Sequence, residues 1–321
     1  MMSTRLSALN SPSLVSAAGV AVALGFPYYA SLAQSSSLVA LSAANVAAFA
    51  LNVFAVSVPG RMDGEVARKM AEDVSARGAD DGKPLDADTG VYTLLRGRSL
   101  VAPSGWAFAI WGAIYLGEVA FVGVQCFPSS ALADVLPEIT APFVAANIFQ
   151  SLWCASFRSK YSSGWYKYVS AGMLVGTVAM LSKVAMVGST SAVPHIFIPL
   201  TMHFGWTTAA TLVNLNGSLA MDENISDLAV IAAGHASAAV GTALGTGLAV
   251  AHSMPAYALT LAWALAACAD GMKTRQAPSS DGPRVRLERG ASVQRALCSM
   301  GAASCALAAG VIALRSWVPP T

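Results

Sequence analysis

The sequence predicts an all-α fold, a polytopic transmembrane bundle of about eight helices, and three observations carry that reading. Hydrophobic residues make up 55% of the 321 and charged residues only 11%, with a mean hydropathy of +0.57. That composition lies outside the range of soluble domains. Apolar runs of about 17 to 25 residues, long enough to cross a hydrocarbon core, recur along the chain. The charge between them is lopsided. Connections at 59–105, 158–167 and 271–292 hold seven, three and five of the nineteen Lys and Arg residues, whereas those at 127–138, 189–194 and 251–253 hold none.

The runs fall near Leu38–Val58, Trp106–Cys126, Ile139–Phe157, Tyr166–Gly188, His195–Ala220, Leu228–Val250, Met254–Ala269 and Val293–Trp317. Lipid offers the backbone no hydrogen-bond partner, so continuous apolar segments of this length must be helices. Helices that alternate in direction put all three basic connections on one side, the cytoplasmic face or its organelle equivalent. Ser13–Ala33 leaves two readings open. It follows a single Arg5, contains Pro27 and ends in Ser31-Leu32-Ala33 before a serine run, which fits a cleavable leader as well as a ninth helix. Its Ser-rich, acid-free beginning also suits organelle targeting, and which membrane houses the protein stays open.

Two connections are long. The loop at 59–104 mixes acidic and basic residues, and its Gly78–Gly82 stretch, GADDG, resembles calcium-ligand spacing but lacks the closing glutamate of a calcium loop. A solvated turn is expected there. The basic loop at 271–291 is rich in Pro, Ser, Gly and Arg, so a flexible segment near anionic headgroups is expected. A net charge of +2 with no basic arm gives no nucleic-acid reading. The five cysteines form no CxxC pair and sit in or at the ends of apolar helices, which favours packing over a disulfide or zinc site. HExxH and GxxxxGK are absent, and no catalytic or metal-ligating residue is assigned.

In the run VAPSGWAFAIWGAIYLGEVAFVGVQ, from Val101 to Gln125, Trp111 and Tyr115 are four apart and share a helix face, while Trp106 sits at the membrane interface as an anchor. The spacing W-x-F-x-x-W-x-x-x-Y resembles the signature helix of the TspO/MBR family, the tryptophan-rich sensory and translocator proteins, in its longer branch. NIFQSLWCASF resembles the family's second block, and PLTMHFGWTTAATLVNLN its third, with Trp206, Ala210 and Asn214 at matching positions. Met202-His203 replaces the family's Pro-Tyr pair, and Gln150 stands where short members have Asn. The resemblance implies a five-helix core over 101–250. One helix would be added before it, at 35–58, with residues 1–34 as leader or extra helix, and two after it within 251–321. It further implies a small hydrophobic ligand, with tetrapyrroles (porphyrin or haem) and sterols known for relatives. No cofactor is required.

Counting ~1.5 Å rise per residue places Trp111, Tyr115, Trp153 and Trp206 in the half of the membrane nearer the basic face. Aromatics from three helices at one depth suit a planar ligand held by stacking, with core filling as the competing account. Asn214, Gln150 and His203 would be polar fixings. His203 and His235 also bring an axial iron ligand to mind, against the plainer reading of satisfied core histidines. Glu118 and Lys183 are charged residues well inside helices, and such residues pair or face polar cavities. A Glu118–Lys183 pair is expected, with Lys183 snorkelling to the interface as the alternative. Gly241 and Gly245 form a GxxxG suited to close helix approach, either within the chain or in a homodimer. The expected partners are the lipid bilayer and a small hydrophobic ligand. Three functional classes compete: ligand binding in sensing or transport, a structural or assembly subunit of a membrane complex, and an enzyme that degrades porphyrin.

Overall fold

The computed structural model describes residues 10–57, 97–156, 161–273 and 282–317. Nine α-helices and no strands occur among the described residues: α1 Pro12–Gln34, α2 Leu38–Ser57, α3 Ile110–Val124, α4 Ser130–Ala155, α5 Val169–Thr190, α6 Ile198–Ala220, α7 Asp227–Ala251, α8 Pro255–Gly271 and α9 Gly282–Trp317. Short 3₁₀ segments at Gly105–Ala109, Gly164–Tyr168 and Pro194–Phe197 lead into α3, α5 and α6. The Gly78–Gly82 turn and most of the 59–104 loop lie outside the described residues, as do the first nine residues and much of the basic loop 271–291.

Among the described residues, eight helices are long and apolar enough to cross a membrane. Large apolar side chains point outward, among them Leu24, Val39, Leu116, Leu228 and Leu307, while Asn45, Asn52, Gln150 and Gln294 are fully buried. That inversion suits a lipid solvent, where association rests on packing and internal hydrogen bonds rather than on hiding apolar surface. α8 has 17 residues, the lower limit of spanning length. It packs against α6, α7 and α9, with Tyr257, Ala258, Leu261, Leu265 and Cys268 buried, so neighbouring helices shield much of its length.

Element bounds moved at two places. α4 begins at Ser130 rather than Ile139, capped by the Ser129 hydroxyl, which accepts from the Leu132 amide at 3.3 Å. Asp134, Pro137 and Glu138 interrupt the apolar run but are accommodated on the outer face of this first stretch, opposite buried Leu132, Leu136 and Ile139. α9 begins at Gly282, and its apolar span runs Leu287–Arg315. The segment read as leader or helix forms α1, which packs along α4 and α5.

α2 and α4 run parallel in a fixed register. Asn45 Nδ2 donates to Thr140 Oγ1 at 3.0 Å and Asn52 Nδ2 to the Asn147 carbonyl at 3.1 Å. Each helix advances seven residues between the two contacts, so equal steps of two turns match along both axes. Gly245 lies where α7 meets α8 and α9. A Cβ there would stand 2.5 Å from Cys305 Sγ and 3.1 Å from Leu261 Cβ, so this glycine serves close approach within the chain. Gly245→Leu is expected to separate α7 from α9 and lower the melting temperature in detergent; an unchanged melting curve would contradict that packing role.

At the basic end, the Arg98 guanidinium gathers the turn between α6 and α7. It donates to the carbonyls of Ala220, Asp222 and Ile225 and to Asp227 Oδ1 at 2.6 to 3.1 Å. The planar five-donor fork is the reason one side chain can satisfy so many acceptors. Lys167 Nζ meets Asp222 Oδ2 at 2.7 Å in the same turn. Part of the positive charge on this face is thus matched within the protein. Replacing Arg98 with Ala strands helix-end carbonyls and should cost about 2–3 kcal/mol, read as a lower melting temperature that Arg98→Lys recovers only in part.

Candidate functional site

The site grows from two helix faces brought together. On α3, Trp111, Tyr115 and Glu118 follow at spacings of four and three, and on α6, His203 and Trp206 stand three apart, so each set forms one stripe. The Trp111 and Tyr115 rings stack, 5.2 Å between centroids with 21° between planes. Trp206 meets Trp111 edge-on at 6.2 Å and Phe108 at 5.7 Å. His203 stands edge-on to Trp111 at 5.4 Å. Trp206 and His203 are buried, whereas Trp111 and Tyr115 are partly exposed, which leaves a flat aromatic platform at the edge of the packed interior.

Glu118 does not pair with Lys183. Its Oε1 lies 2.7 Å from His203 Nδ1, with the two side chains 1% and 3% exposed. Lys183 instead projects from the exposed side of α5, its Nζ 5.7 Å over the Phe26 ring of α1. The helical rotation of α5 explains the difference: Val184 and Ala185 face inward, and Lys183 faces out. Depth had placed the two charges at one level, but depth says nothing of azimuth around the bundle. Among the described residues, neither Glu118 Oε2 nor His203 Nε2 meets a hydrogen-bond partner.

Tyr115 is held by a closed ring of hydrogen bonds. Its hydroxyl donates to Asn52 Oδ1 at 3.0 Å, Asn52 Nδ2 donates to Gln150 Oε1 at 3.0 Å, and Gln150 Nε2 donates back to the Tyr115 oxygen at 3.1 Å. Such a cycle polarises its members cooperatively and ties α2, α3 and α4 together. Gln150 therefore uses both ends of its amide in the ring, Nε2 donating to Tyr115 and Oε1 accepting from Asn52. Asn52→Leu opens the ring and should lower stability by about 1–2 kcal/mol, measured by thermal unfolding in detergent. An unchanged melting temperature would mean that the cycle contributes nothing.

Trp153 falls in a neighbouring buried group with Phe149, Met173 and Leu174, against which Ala210 packs. Its indole Nε1 donates to Asn214 Oδ1 at 3.5 Å, and Asn214 Nδ2 donates to the Ala210 carbonyl at 2.8 Å. Trp111, Tyr115, His203 and Trp206 are thus assembled directly. Gln150 joins through Tyr115, and Trp153, Ala210 and Asn214 form an adjoining wall between α4 and α6. Trp106 is set apart, its indole donating to Asp270 Oδ2 at 3.0 Å and its ring edge-on to Trp263 at 4.7 Å. His235 Nδ1 lies 2.8 Å from Gln294 Oε1, a core histidine with a partner.

Sequence reasoning missed Asn52 and the Glu118–His203 pair. Asn45 and Asn52, seven apart in an otherwise apolar helix, were a legible signal for one polar stripe. The identity of their partners was not. Among the described residues no group of three or more His, Cys, Asp or Glu side chains is arranged to hold a metal ion.

Spanning helices with polar side chains turned inward and large apolar ones outward define a multi-pass integral membrane protein. A family model described as TSPO-like protein matches residues 89–280, well over half of the chain, and the chain belongs to that family. The match reaches past Val250 and takes in α8. No curated protein and no solved structure matches the chain.

Proposed function

We propose that this TSPO-type membrane protein binds a flat or polycyclic hydrophobic molecule, a tetrapyrrole or a sterol, on the platform of Trp111, Tyr115 and Trp206, in sensing or transport. The observation that carries the reading is the buried Glu118–His203 pair beside that platform, with Oε2 and Nε2 unbonded by any described group. Buried polar atoms of this kind are costly unless a partner meets them. In each net-neutral form of the pair, one of these atoms donates and the other accepts. A carboxylic acid or hydroxyl on the rim of an apolar ring system supplies the complement, while the ring itself stacks on indole and phenol faces. The adjoining Trp153–Asn214 wall would close the other side.

Titration of the purified protein with a porphyrin tests this. Saturable tryptophan quenching and a Soret shift at one ligand per chain, with the porphyrin recovered intact, are expected. Linear, non-saturating quenching would overturn ligand binding, and steady consumption of the porphyrin would instead favour an enzyme.

A further inference from the structure

Buried side chains on α2, α3 and α4 alternate in layers along the membrane normal. Asn45, Gln125 and Thr140 form a distal polar layer, in the half of the membrane away from the basic connections. Asn52, Glu118 and Asn147 form a second polar layer, level with the platform. Each of the three helices, with Gln125 capping α3, steps seven residues between the layers, or ~10 Å. Midway on each stands a buried phenylalanine, Phe49 on α2, Phe121 on α3 and Phe143 on α4, three or four residues from its polar neighbours and so on the same stripe. We propose that both polar layers bind water and that the phenyl layer is a dry barrier between them.

Three observations carry the assignment. The first is unmet polar atoms. Among the described residues, Asn45 Oδ1, Gln125 Nε2 and Asn147 Oδ1 meet no hydrogen-bond partner, and their side chains belong to residues 0%, 1% and 3% exposed. Lipid supplies no partner either, so each is costly unless something small reaches it. The second is complementary chemistry. Asn45 Nδ2 donates to Gln125 Oε1 at 2.8 Å and to Thr140 Oγ1 at 3.0 Å, so the orphaned oxygen and the orphaned nitrogen of the distal layer belong to two amides already joined. One calls for a donor and the other for an acceptor, and water is both. Turning both amides over would still leave one donor and one acceptor unmet. Ser42 Oγ, whose hydrogen goes to the Gln125 carbonyl at 2.9 Å, keeps a lone pair for the same water, which brings its partners into the range of two to four that buried waters have. The third is the barrier. The Phe121 and Phe143 rings lie 5.4 Å apart and Phe49 stands 6.1 Å from the Tyr115 ring, an apolar layer that offers water no partner. It keeps the distal water from the Glu118–His203 pair, whose attraction is strongest where water is excluded.

The test is a crystal structure of the full chain without porphyrin, at a resolution that shows ordered water. Peaks within about 3.2 Å of Asn45 Oδ1, Gln125 Nε2 and Asn147 Oδ1 are expected, with none among the three phenyl rings. Asn45→Leu should remove the distal peaks and leave the one at Asn147, and Asn147→Leu should do the reverse. The wild-type map carries the first result alone, so a variant that fails to fold does not remove the test. Absence of a peak at all three atoms in the wild type would overturn water binding, and elongated density there would replace water by an amphiphile and overturn it equally. A continuous file of peaks through the phenyl layer, or loss of both sets of peaks in Asn45→Leu, would overturn the barrier. None of these outcomes depends on porphyrin binding at the platform.

Discussion

Trp111→Leu combined with Trp206→Leu is expected to reduce porphyrin affinity by about thirty- to a hundredfold. Each indole provides stacking or edge contacts of about 0.5–1.5 kcal/mol beyond its burial, and losing both removes a wall and its support, about 2–3 kcal/mol in all. Trp206 positions Trp111 through their edge-on contact at 6.2 Å, so the two substitutions should be less than additive. Tryptophan quenching and the Soret shift measure the loss. Trp106→Leu is the internal comparison: it removes an indole that faces Asp270 and Trp263, and porphyrin affinity should stay at the wild-type level. If Trp106→Leu weakens binding as much as the double substitution, the ligand sits elsewhere.

His203→Leu is expected to destabilise the protein by about 3–5 kcal/mol, because it leaves the Glu118 carboxylate buried without its partner. Glu118→Gln should cost much less, since an amide keeps an acceptor for His203 Nδ1–H and carries no charge. Removing both groups, as Glu118→Leu with His203→Leu, should recover most of the loss from His203→Leu alone, the pattern of a buried pair rather than of two independent contributions. Thermal unfolding of the wild type, Glu118→Leu, His203→Leu and the double variant in one detergent measures the cycle. Additive losses would show that the 2.7 Å contact carries no coupling. The double variant should also lose affinity for a porphyrin bearing free carboxyls while still binding its methyl ester, because only the polar rim contact has gone.

Much of the fold was legible because lipid makes helix formation nearly obligatory for apolar runs. Seven of the expected runs matched helices with shifted ends, and the eighth, Met254–Ala269, is the short α8 whose neighbours shield it. The misplaced starts of α4 and α9 share one cause. Charged and proline residues extend those helices beyond the apolar window, and hydropathy stops where the window does. The site was legible by type but not by partner. Four-residue spacing predicted the Trp111–Tyr115 stack, since neighbours on one helix are fixed by its geometry. Glu118 was correctly picked out as needing a partner, yet the partner was read as Lys183 because axial position is countable from sequence and helix rotation is not. Asn52 was given no place in the site for a related reason: its amide gains that meaning only when Tyr115 and Gln150 arrive from two other helices.

A density map of the purified protein equilibrated with porphyrin tests the central claim most directly. Density for one flat molecule against Trp111 and Trp206, with a polar edge within hydrogen-bond distance of His203 Nε2 or Glu118 Oε2, is the predicted result. A saturated complex whose density lies away from these residues, with the Trp111, Tyr115 and Trp206 rings packed as they are without ligand, would contradict it.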